Sequence, residues 1–424
     1  MSPERLDLWA QSGQWELPSQ VSHSCAMIAG AMTAKLMIDE FPWNSRYAVD
    51  QTENILTPAL VIYPELVDHN IRQTLQLLEG NPDRWRIHVK TAKLQSTMER
   101  LVSHGVVNFK AATTLELLTA CASGAKDVLV AYPVMGANAR RLLEISEQYD
   151  DVQVSVLIEN EAQLQQWRDK NVGIFLDINP GMDRTGIALS HSERVFSLVS
   201  GVKNLGLEFR GLHYYDGQYG SLTEQERCSV VHQGYDQLLN LVRVLERAGH
   251  SIREIVTAGT PTFPCSLSYT PFHSAEFIHR VSPGTIVYCD ATSLAQLSHD
   301  YGYQPAALVL TRVVSQPRDG MITCDAGHKS VSADAGVPTC IVLGHPELLP
   351  LSPSEEHLPM SVRPGAHIPS IGDQLYLLPR HICPTVNNFN SALLVKNGVV
   401  AVEPVTARGR EGPLLAETLE RARI

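Results

Sequence analysis

The chain has 424 residues, enough for two domains or for one large barrel with an appendage. A net charge of -11 and a hydrophobic fraction of 44% indicate a soluble globular protein. They exclude a general binder of nucleic acid or of acidic membranes, which needs a basic surface. The eight cysteines show no CxxC pair and no regular spacing, which predicts a reducing compartment and no disulfide framework.

Residues 1–54 carry no regular pattern of apolar residues and are predicted to form an extension that packs on the outside or on a second domain. They lack the charged and apolar segments of a secretory signal. The apolar stretch CAMIAGAMTAKLMI is too short to span a membrane and is interrupted by Lys35. The sequence therefore predicts a cytoplasmic protein that binds neither membranes nor nucleic acid.

Residues 55–285 alternate between short apolar runs and segments that carry apolar residues at helical spacing, such as ELVDHNIRQTLQLLEG. The predicted strands are PALVIY, RIHVK, VNFKAA, DVLVAY, QVSVLIE, VGIFLDI, FRGLHYY and EIVTAG. Eight strand–helix units in about 220 residues predict a closed parallel (β/α)8 barrel. An open doubly wound sheet is the alternative, but the first predicted strand is not followed by the glycine-rich fingerprint usual in such sheets.

The helical pattern stops after residue 285, and residues 286–424 are predicted to form a mostly antiparallel β-domain. Its β-rich runs are separated by turns that contain Gly, Pro and Ser. The runs are AALVLTRVVSQ, GMITCDAG, PTCIVLG, DQLYLLPRHICPT and ALLVKNGVVAVEPV.

Several polar residues fall where the barrel strands are predicted to end, which is where barrel enzymes carry their catalytic groups. Taken singly, each has an ordinary explanation as a solvated lysine, an amphipathic tyrosine or a turn residue. A barrel brings all of them to one mouth, however, and this favours a functional site. The residues are Lys90, Tyr132, Arg184, Tyr215, and Gly259, Thr260 and Thr262 in AGTPT.

The chemistry of these residues is complementary. A lysine amine in a partly desolvated pocket can form a Schiff base. A Gly-Thr-Pro-Thr turn after a strand offers backbone N–H groups and hydroxyls to a phosphate. An arginine can donate to a phenolic oxygen, and a tyrosine can stack on a flat heterocycle. Together they predict a site for pyridoxal 5′-phosphate (PLP), with Lys90 as the covalent anchor.

The sequence resembles the alanine-racemase-like PLP barrels, and more specifically their D-serine dehydratase and D-threonine aldolase branch. The resemblance runs from about Leu56 to the last thirty residues. It rests on LTPALVIYPELVDHNI, RIHVKTAK, AYPV, DINPGMDRTG, GLHYYDGQ, AGTPT, SPGTIVYCD, DAGHKSVSADAG, SEEH and PRHICPTVN, in this order.

The resemblance implies that Lys90 binds the cofactor covalently and acts as the base, and that Arg184 contacts the phenolic oxygen. It implies further that Tyr215 lies near the pyridine ring and that Gly259 and Thr260 bind the phosphate. Two positions depart from the family pattern. Ala92 stands where a histidine is usual and Ile286 where a tyrosine is common, so the substrate contacts are expected to differ from the usual ones.

A second candidate site lies in LYLLPRHICPTVNN, where His381 and Cys383 are two residues apart. On an extended segment both side chains point the same way and can reach one ion. A buried cysteine beside a chance histidine is the alternative. In the dehydratase branch a His-x-Cys pair at this place holds zinc, whereas the aldolases tend to show His-x-Asp. Imidazole and thiolate suit Zn²⁺ best, although another divalent metal is possible.

Other polar or reactive residues of the β-domain and barrel are given smaller roles. Asp325 is predicted to support the site, and His357 in SEEH is a candidate third metal contact. Cys265 and Cys289 are predicted to be small core residues.

The resemblance predicts a PLP- and zinc-dependent lyase for 3-hydroxy-D-amino acids. The cysteine favours the D-serine dehydratase type, which yields a 2-oxo acid and ammonia. The D-threonine aldolase type, which yields glycine and an aldehyde, is the alternative. An amino-acid racemase would need a second base, for which no candidate is convincing, and non-catalytic PLP carriers lack a β-domain. By analogy with the family, we expect a homodimer.

Overall fold

Two sheets organise the protein in a computed structural model, which describes residues 37–413 and residue 415. The first is a parallel sheet whose strands follow each other in chain order. A bridge between Trp85 and Val281 joins its first strand to its last and closes the cylinder. The barrel strands are β2 (Arg86–His88), β3 (Asn108–Ala111), β4 (Asp127–Val130), β5 (Gln153–Ile158), β6 (Gly173–Asn179), β8 (Glu208–Tyr214), β9 (Glu254–Thr257) and β10 (Ile278–Val281).

Helices connect the barrel strands and cover the outside of the cylinder, as the alternating pattern predicts. The ends of these helices are set by local signals. Pro64 occupies the first turn of the first helix, and Thr223 and Glu226 form a capping box at the start of the longest. The helices of the described residues are α1 (Pro64–Leu77), α2 (Gln95–Ser103), α3 (Thr114–Ala122), α4 (Ala137–Gln148), α5 (Glu161–Gln165), α6 (Ser192–Asn204), α7 (Glu224–Arg247), α8 (Phe263–Leu267), α9 (Ala291–Gln296) and α10 (Ile382–Asn387).

The second sheet is mostly antiparallel, and it confirms the predicted architecture of a barrel with a β-domain. Its strands are β1 (Ala59–Ile62), β11 (Ala307–Arg318), β12 (Met321–Cys324), β13 (Cys340–Val342), β14 (Leu348–Pro350), β15 (Leu358–Val362), β16 (Gln374–Pro379), β17 (Ser391–Lys396) and β18 (Val399–Pro404). They lie in the order β14-β15-β12-β11-β1-β17-β18, and β16 pairs with both β11 and β13. The remaining short strand, β7 (Ile187–Ala188), pairs with β6 of the barrel.

The prediction that PALVIY is the first barrel strand is wrong. This segment is β1, and it pairs antiparallel with β11 and parallel with β17 in the second sheet. The eighth barrel strand is β10, in FIHRVS, which was not predicted as a strand. A short apolar run shows that a strand is buried but not which sheet buries it, and polar His279 and Arg280 interrupt the apolar pattern of β10.

The described part of the N-terminal extension packs on the β-domain. The Trp43 ring lies 5.1 Å from that of Tyr376 in β16. The Asp50 backbone N–H donates to the Gly398 carbonyl, and the Gln374 side chain donates to the Thr52 carbonyl. Residues 1–36, which contain all but the last two residues of the apolar stretch considered as a membrane segment, lie outside the described residues. Within the described part, no helix combines the length and apolarity needed to cross a bilayer.

Cys265 is a fully buried core residue, as predicted, but it also forms a disulfide with Cys228, which the cysteine spacing did not indicate. The two cysteines are 37 residues apart and are brought together by the packing of α8 against α7. Spacing along the chain carried no signal of this contact. Cys289 is a free, fully buried cysteine, as predicted.

An ion-pair network closes the amino-terminal end of the barrel. Arg86 donates to Glu254 at 2.6 Å and to Asp127 at 2.9 Å, while Arg210 pairs with Asp127 and Arg280 with Glu254. Burial alone would raise the pKa of Asp127, but Arg86 and Arg210 lower it to about 2. These charged groups can be buried because each one lies next to an opposite charge.

Above this network lies an apolar layer contributed by four strands. The guanidinium carbons of Arg86 and Arg210 each lie 5.9 Å from the centre of the Phe175 ring, so the network and the apolar layer are in contact. The apolar layer consists of Leu129, Leu157, Phe175 and Val256. It fills the barrel and leaves only the carboxyl end of the strands as a mouth.

We expect Glu254→Gln to lower the free energy of unfolding by about 3–5 kcal/mol, because it leaves buried arginines without their carboxylate. The control is Glu79→Gln, which removes an exposed pair with Arg84 outside the network and should cost about 1 kcal/mol or less. Urea denaturation of both variants measures the difference. Equal losses would contradict a network that depends on Glu254.

Candidate active site at the barrel mouth

Lys90 lies in the turn that follows β2, at the mouth of the barrel. Its backbone N–H donates to Nδ1 of His88 at 3.3 Å, and its side chain is half-buried. The neighbouring Lys93 is different, because its amine is neutralised by Glu116 at 2.9 Å and donates to the Ala407 carbonyl. Within the described residues Lys90 has no such carboxylate partner. Of the two lysines in KTAK, Lys90 is therefore the one available for chemistry.

Arg184 and Tyr215 come together at the rim, although they are 31 positions apart. The guanidinium carbon of Arg184 lies 4.8 Å from the centre of the Tyr215 ring, in a cation–π contact. Tyr132 is 56% exposed, and no hydrogen bond or ring contact joins it to the other described residues of the mouth. The structure thus brings two of the three predicted ring-binding residues together and leaves Tyr132 apart.

The AGTPT loop after β9 is held from below by a buried carboxylate. The Gly259 N–H donates to the hydroxyl of Thr262, and that hydroxyl donates to Asp216 at 2.5 Å. Tyr235 also donates to Asp216, at 2.6 Å. Burial raises the pKa of Asp216, and the two hydroxyls oppose this by donating to it. Thr262 therefore supports the loop rather than facing its open side.

The upper side of this loop offers donors to an anion. The Thr260 hydroxyl accepts from the Thr285 N–H at 3.3 Å and so joins the loops that follow β9 and β10. Ser282, directly after β10, has a buried hydroxyl without a hydrogen-bond partner in the described structure. A buried hydroxyl without a partner indicates that something else binds it. At the end of a barrel strand beside a Gly-Thr loop, this fits a phosphate.

Gly259 is required at its position by the neighbouring tyrosine. A Cβ atom on residue 259 would lie 2.8 Å from Cε2 of Tyr215. Any side chain would therefore displace the ring that Arg184 contacts. The loop and the ring partner are thereby fixed relative to each other, as the binding of one phosphorylated heterocycle requires.

Below the rim, Asp177, His213 and Lys110 form a chain of polar groups inside the barrel. His213 Nδ1 is 2.7 Å from Asp177, and His213 Nε2 is 3.4 Å from the amine of Lys110. Burial and the nearby charge of Lys90 lower the pKa of Lys110, Asp177 opposes the shift, and the result is a pKa of about 7. Sequence analysis did not single out these residues. Lys110 lies inside the buried run VNFKAA, and a lysine in a buried run is the same signal that identified Lys90.

His381 and Cys383 meet as predicted, but not on an extended segment. His381 precedes α10, and Cys383 lies in its first turn. Burial alone would lower the pKa of His381, but hydrogen bonding to Cys383 and nearby carboxylates raise it to about 10. Burial alone would raise the pKa of Cys383, but His381 and Lys90 hold it below the usual range. The pair therefore favours a thiolate, the form of cysteine that binds metals.

The surroundings of this pair fit a metal ion. Nδ1 of His381 lies 2.7 Å from Asp334, so Nε2 is the ring nitrogen left to interact with Cys383 or with an ion beside it. A carboxylate on the far nitrogen is the usual support of a metal-binding histidine. In the described residues no group of three or more such side chains could share one ion, so an ion bound here would have this pair as its ligands. Two ligands leave positions for water and substrate.

The proposed third ligand is not brought to the pair. His357 is exposed and hydrogen-bonds within its own turn to Ser354. The prediction that His357 could reach the metal is therefore wrong for this chain. Asp325 has a structural role, because it accepts from Thr57 and Thr311 and so connects β1 to β11.

His381 and Cys383 lie at the same barrel mouth as Lys90. A hydrogen bond of 2.9 Å joins Cys383 Sγ to the hydroxyl of Thr91, the residue after Lys90. The Thr285 hydroxyl lies 3.5 Å from the same sulfur. The β-domain thus contributes its thiol directly beside the barrel lysine.

Comparison with known proteins agrees with this architecture. The family model described as "Alanine racemase, N-terminal domain" matches residues 62–292, more than half of the chain, and the chain therefore belongs to this family. A second model, for a serine dehydratase domain, matches residues 306–395. These matches confirm the family expected from the sequence.

Named relatives span nearly the whole chain. A D-threonine aldolase from Arthrobacter sp is 26% identical over 378 residues, which cover 85% of this chain and 94% of the relative. A 3-hydroxy-D-aspartate aldolase from Paracoccus denitrificans (strain Pd 1222) is 27% identical over 387 residues, with coverages of 85% and 94%. The structure of D-threo-3-hydroxyaspartate dehydratase from Delftia sp. HT23 superposes with a TM-score of 0.72 at 19% identity, covering 85% of this chain and 99% of that one. The chain is accordingly a PLP-dependent lyase.

We expect Thr262→Val to lower the free energy of unfolding by about 1–3 kcal/mol, because buried Asp216 and the Gly259 N–H both lose a partner. Thr262→Ser keeps the hydroxyl and should restore most of this loss. Chemical denaturation of the two variants distinguishes the hydroxyl from the methyl group. Equal destabilisation by Val and Ser would show that packing, and not the hydrogen-bond chain, holds the loop.

Proposed function

We propose that this member of the alanine racemase N-terminal domain family is a PLP- and zinc-dependent lyase for 3-hydroxy-D-amino acids, of the D-serine dehydratase type. Its products would be a 2-oxo acid and ammonia. The observation that carries the proposal is the contact between Cys383 and Thr91, because it brings a metal-binding pair beside Lys90. A substrate that carries its amine on Cα and its leaving group on Cβ would need a base and a Lewis acid side by side. The homodimer and the cytoplasmic location stay predictions.

The residues of the mouth would hold PLP in the following way. Lys90 is the covalent anchor, Gly259 and Thr260 with the partnerless Ser282 hydroxyl bind the phosphate, and Arg184 reaches the phenolic oxygen. Tyr215 packs against the ring, with Thr262 supporting the loop, and Tyr132 would approach from the rim. When bound, PLP withdraws electrons from the substrate Cα and so permits bonds to that carbon to break.

Lys90 would also move the proton. Its amine would serve as the base for the proton on the substrate Cα. Thr91 holds Cys383 in place through its hydroxyl, so the base and the metal pair keep a fixed separation.

His381 and Cys383 would hold the metal. Zn²⁺ bound there supplies a Lewis acid for the 3-hydroxyl group of the substrate. The donor set favours zinc over magnesium or manganese because it contains a thiolate and an imidazole and no carboxylate. Asp334 fixes the orientation of His381 and raises its basicity.

The aldolase type is the second candidate, and the names of relatives at 26% and 27% identity favour it. In that reaction the same residues would cleave the bond between Cα and Cβ and release glycine and an aldehyde. Cys383 favours the dehydratase, since the aldolases of the resembled branch tend to carry aspartate at this place.

Product analysis decides between the two. The purified protein, loaded with PLP and zinc, is incubated separately with D-serine, D-threonine and 3-hydroxy-D-aspartate. We expect a 2-oxo acid and ammonia in equal amounts. Glycine and an aldehyde without 2-oxo acid would overturn the dehydratase assignment, and no turnover of any of the three would overturn the lyase proposal for this substrate class.

We expect Asp334→Asn to weaken zinc binding by about 10- to 100-fold, because His381 loses the carboxylate that orients its ring. The matched control is Glu347→Gln, which removes a carboxylate from His345 away from the site. Competition with a chromophoric chelator measures both affinities. Unchanged zinc affinity in Asp334→Asn would contradict the metal site.

A further inference from the structure

Lys110 is a buried lysine that the reaction described above does not use. It lies in β3, in register with His88 of β2, and only 2% of its surface is exposed. Its amine lies 5.7 Å from the centre of the Tyr215 ring, on the barrel side of the mouth. Lys110 therefore approaches the proposed cofactor ring from below.

No carboxylate neutralises this amine within the described residues. Its hydrogen-bonding contact is His213 Nε2 at 3.4 Å, and Asp177 lies beyond that ring. Lys93, in the same barrel, is by contrast paired, because Glu116 lies 2.9 Å from its amine. A charged amine is costly here without a paired counter-ion, so an anion that enters the mouth would stabilise the protonated form of Lys110.

The groups around Lys110 are mixed in charge. They come from the strands on both sides and from the rim, and the carboxylates among them are Asp177 and Asp216. The charged and titratable neighbours are Arg86, His88 and Lys90 from β2 and its turn, Asp177 and Arg184 from β6 and its loop, and His213, Tyr215 and Asp216 from β8 and its end.

We infer that Lys110 is a cofactor-binding residue, which takes up a proton from solvent when an anionic pyridoxyl phosphate enters the mouth and then balances its charge from inside the barrel. This inference rests on the proposed cofactor site. The low pKa of Lys110, about 7, means that the amine is mostly neutral only above pH 7 before the ligand arrives. An added anion raises that pKa, so binding and protonation are coupled.

The sign of the pH dependence follows from this coupling. Below pH 7 the amine is already charged, so binding of the anion requires no proton uptake. Above pH 7 each binding event takes up as much as about one proton, and affinity falls by up to about tenfold per pH unit. Other ionisable groups of the ligand also make its affinity depend on pH. The contribution of Lys110 is therefore the difference in proton uptake between the wild type and a Lys110 variant.

The test uses pyridoxamine 5′-phosphate, which has the phosphate and phenolic groups but no aldehyde and so cannot react with Lys90. Titration calorimetry at pH 8 in two buffers of different ionisation enthalpy counts the protons taken up. We expect Lys110→Met to take up about one proton fewer than the wild type. At pH 6.5 it should bind about 10- to 100-fold more weakly, through loss of a charged hydrogen bond.

Lys110→Arg provides the opposite variant, because its side chain stays charged throughout the range. We expect it to lose the extra proton uptake and to bind more tightly than the wild type at pH 9. Lys126→Met, which removes an exposed lysine paired with Asp151, is the matched control and should behave as the wild type. Circular dichroism of all variants shows whether the fold is kept.

The outcomes separate the two proposals. Equal proton uptake by the wild type and Lys110→Met, or no gain for Lys110→Arg at pH 9, overturns the role of Lys110 and leaves the cofactor site standing. Failure of the wild type to bind pyridoxamine 5′-phosphate overturns the cofactor site and this inference with it.

Discussion

A closed barrel gives the inward side chains of eight strands one narrow interior, and the rest of the structure depends on how that space is filled. Arg86, Asp127 and Glu254 neutralise each other at the amino-terminal end. The apolar layer around Phe175 covers them and separates them from the mouth. Within the described residues, Lys90, Lys110 and Arg184 form no salt bridge with the carboxylates of this network. These three basic side chains are therefore available to an anionic cofactor at the mouth.

The second constraint is the contact between the two domains. The Thr91 hydroxyl holds Cys383, and Thr91 follows Lys90 in the chain. A shift of α10 relative to the barrel would thus move the thiol and the lysine apart. Because β1 lies in the β-domain sheet while the chain continues through α1 into the barrel, the two domains share their first elements as well. The packing of the two domains therefore also determines the geometry of the site.

Sequence analysis predicted the barrel, the β-domain, the lysine, the Gly-Thr loop and the His-x-Cys pair, because each depends on local pattern or on family motifs. It placed PALVIY in the wrong sheet, since a buried run does not reveal its neighbours. It missed the Cys228–Cys265 disulfide and the support of His381 by Asp334, which join residues far apart in the chain. The departures at Ala92 and Ile286 turn out to be fully buried, and Tyr288 donates to the Ala92 carbonyl.

The central claim is that Lys90, and no other lysine of the mouth, joins the cofactor covalently. Sodium borohydride treatment of the PLP-saturated protein fixes such a bond, and mass spectrometry of the peptides locates it. The account predicts the phosphopyridoxyl group on Lys90 alone, with none after borohydride treatment of Lys90→Ala. Attachment to Lys93 or Lys110 in the wild type, or to no lysine, would contradict it.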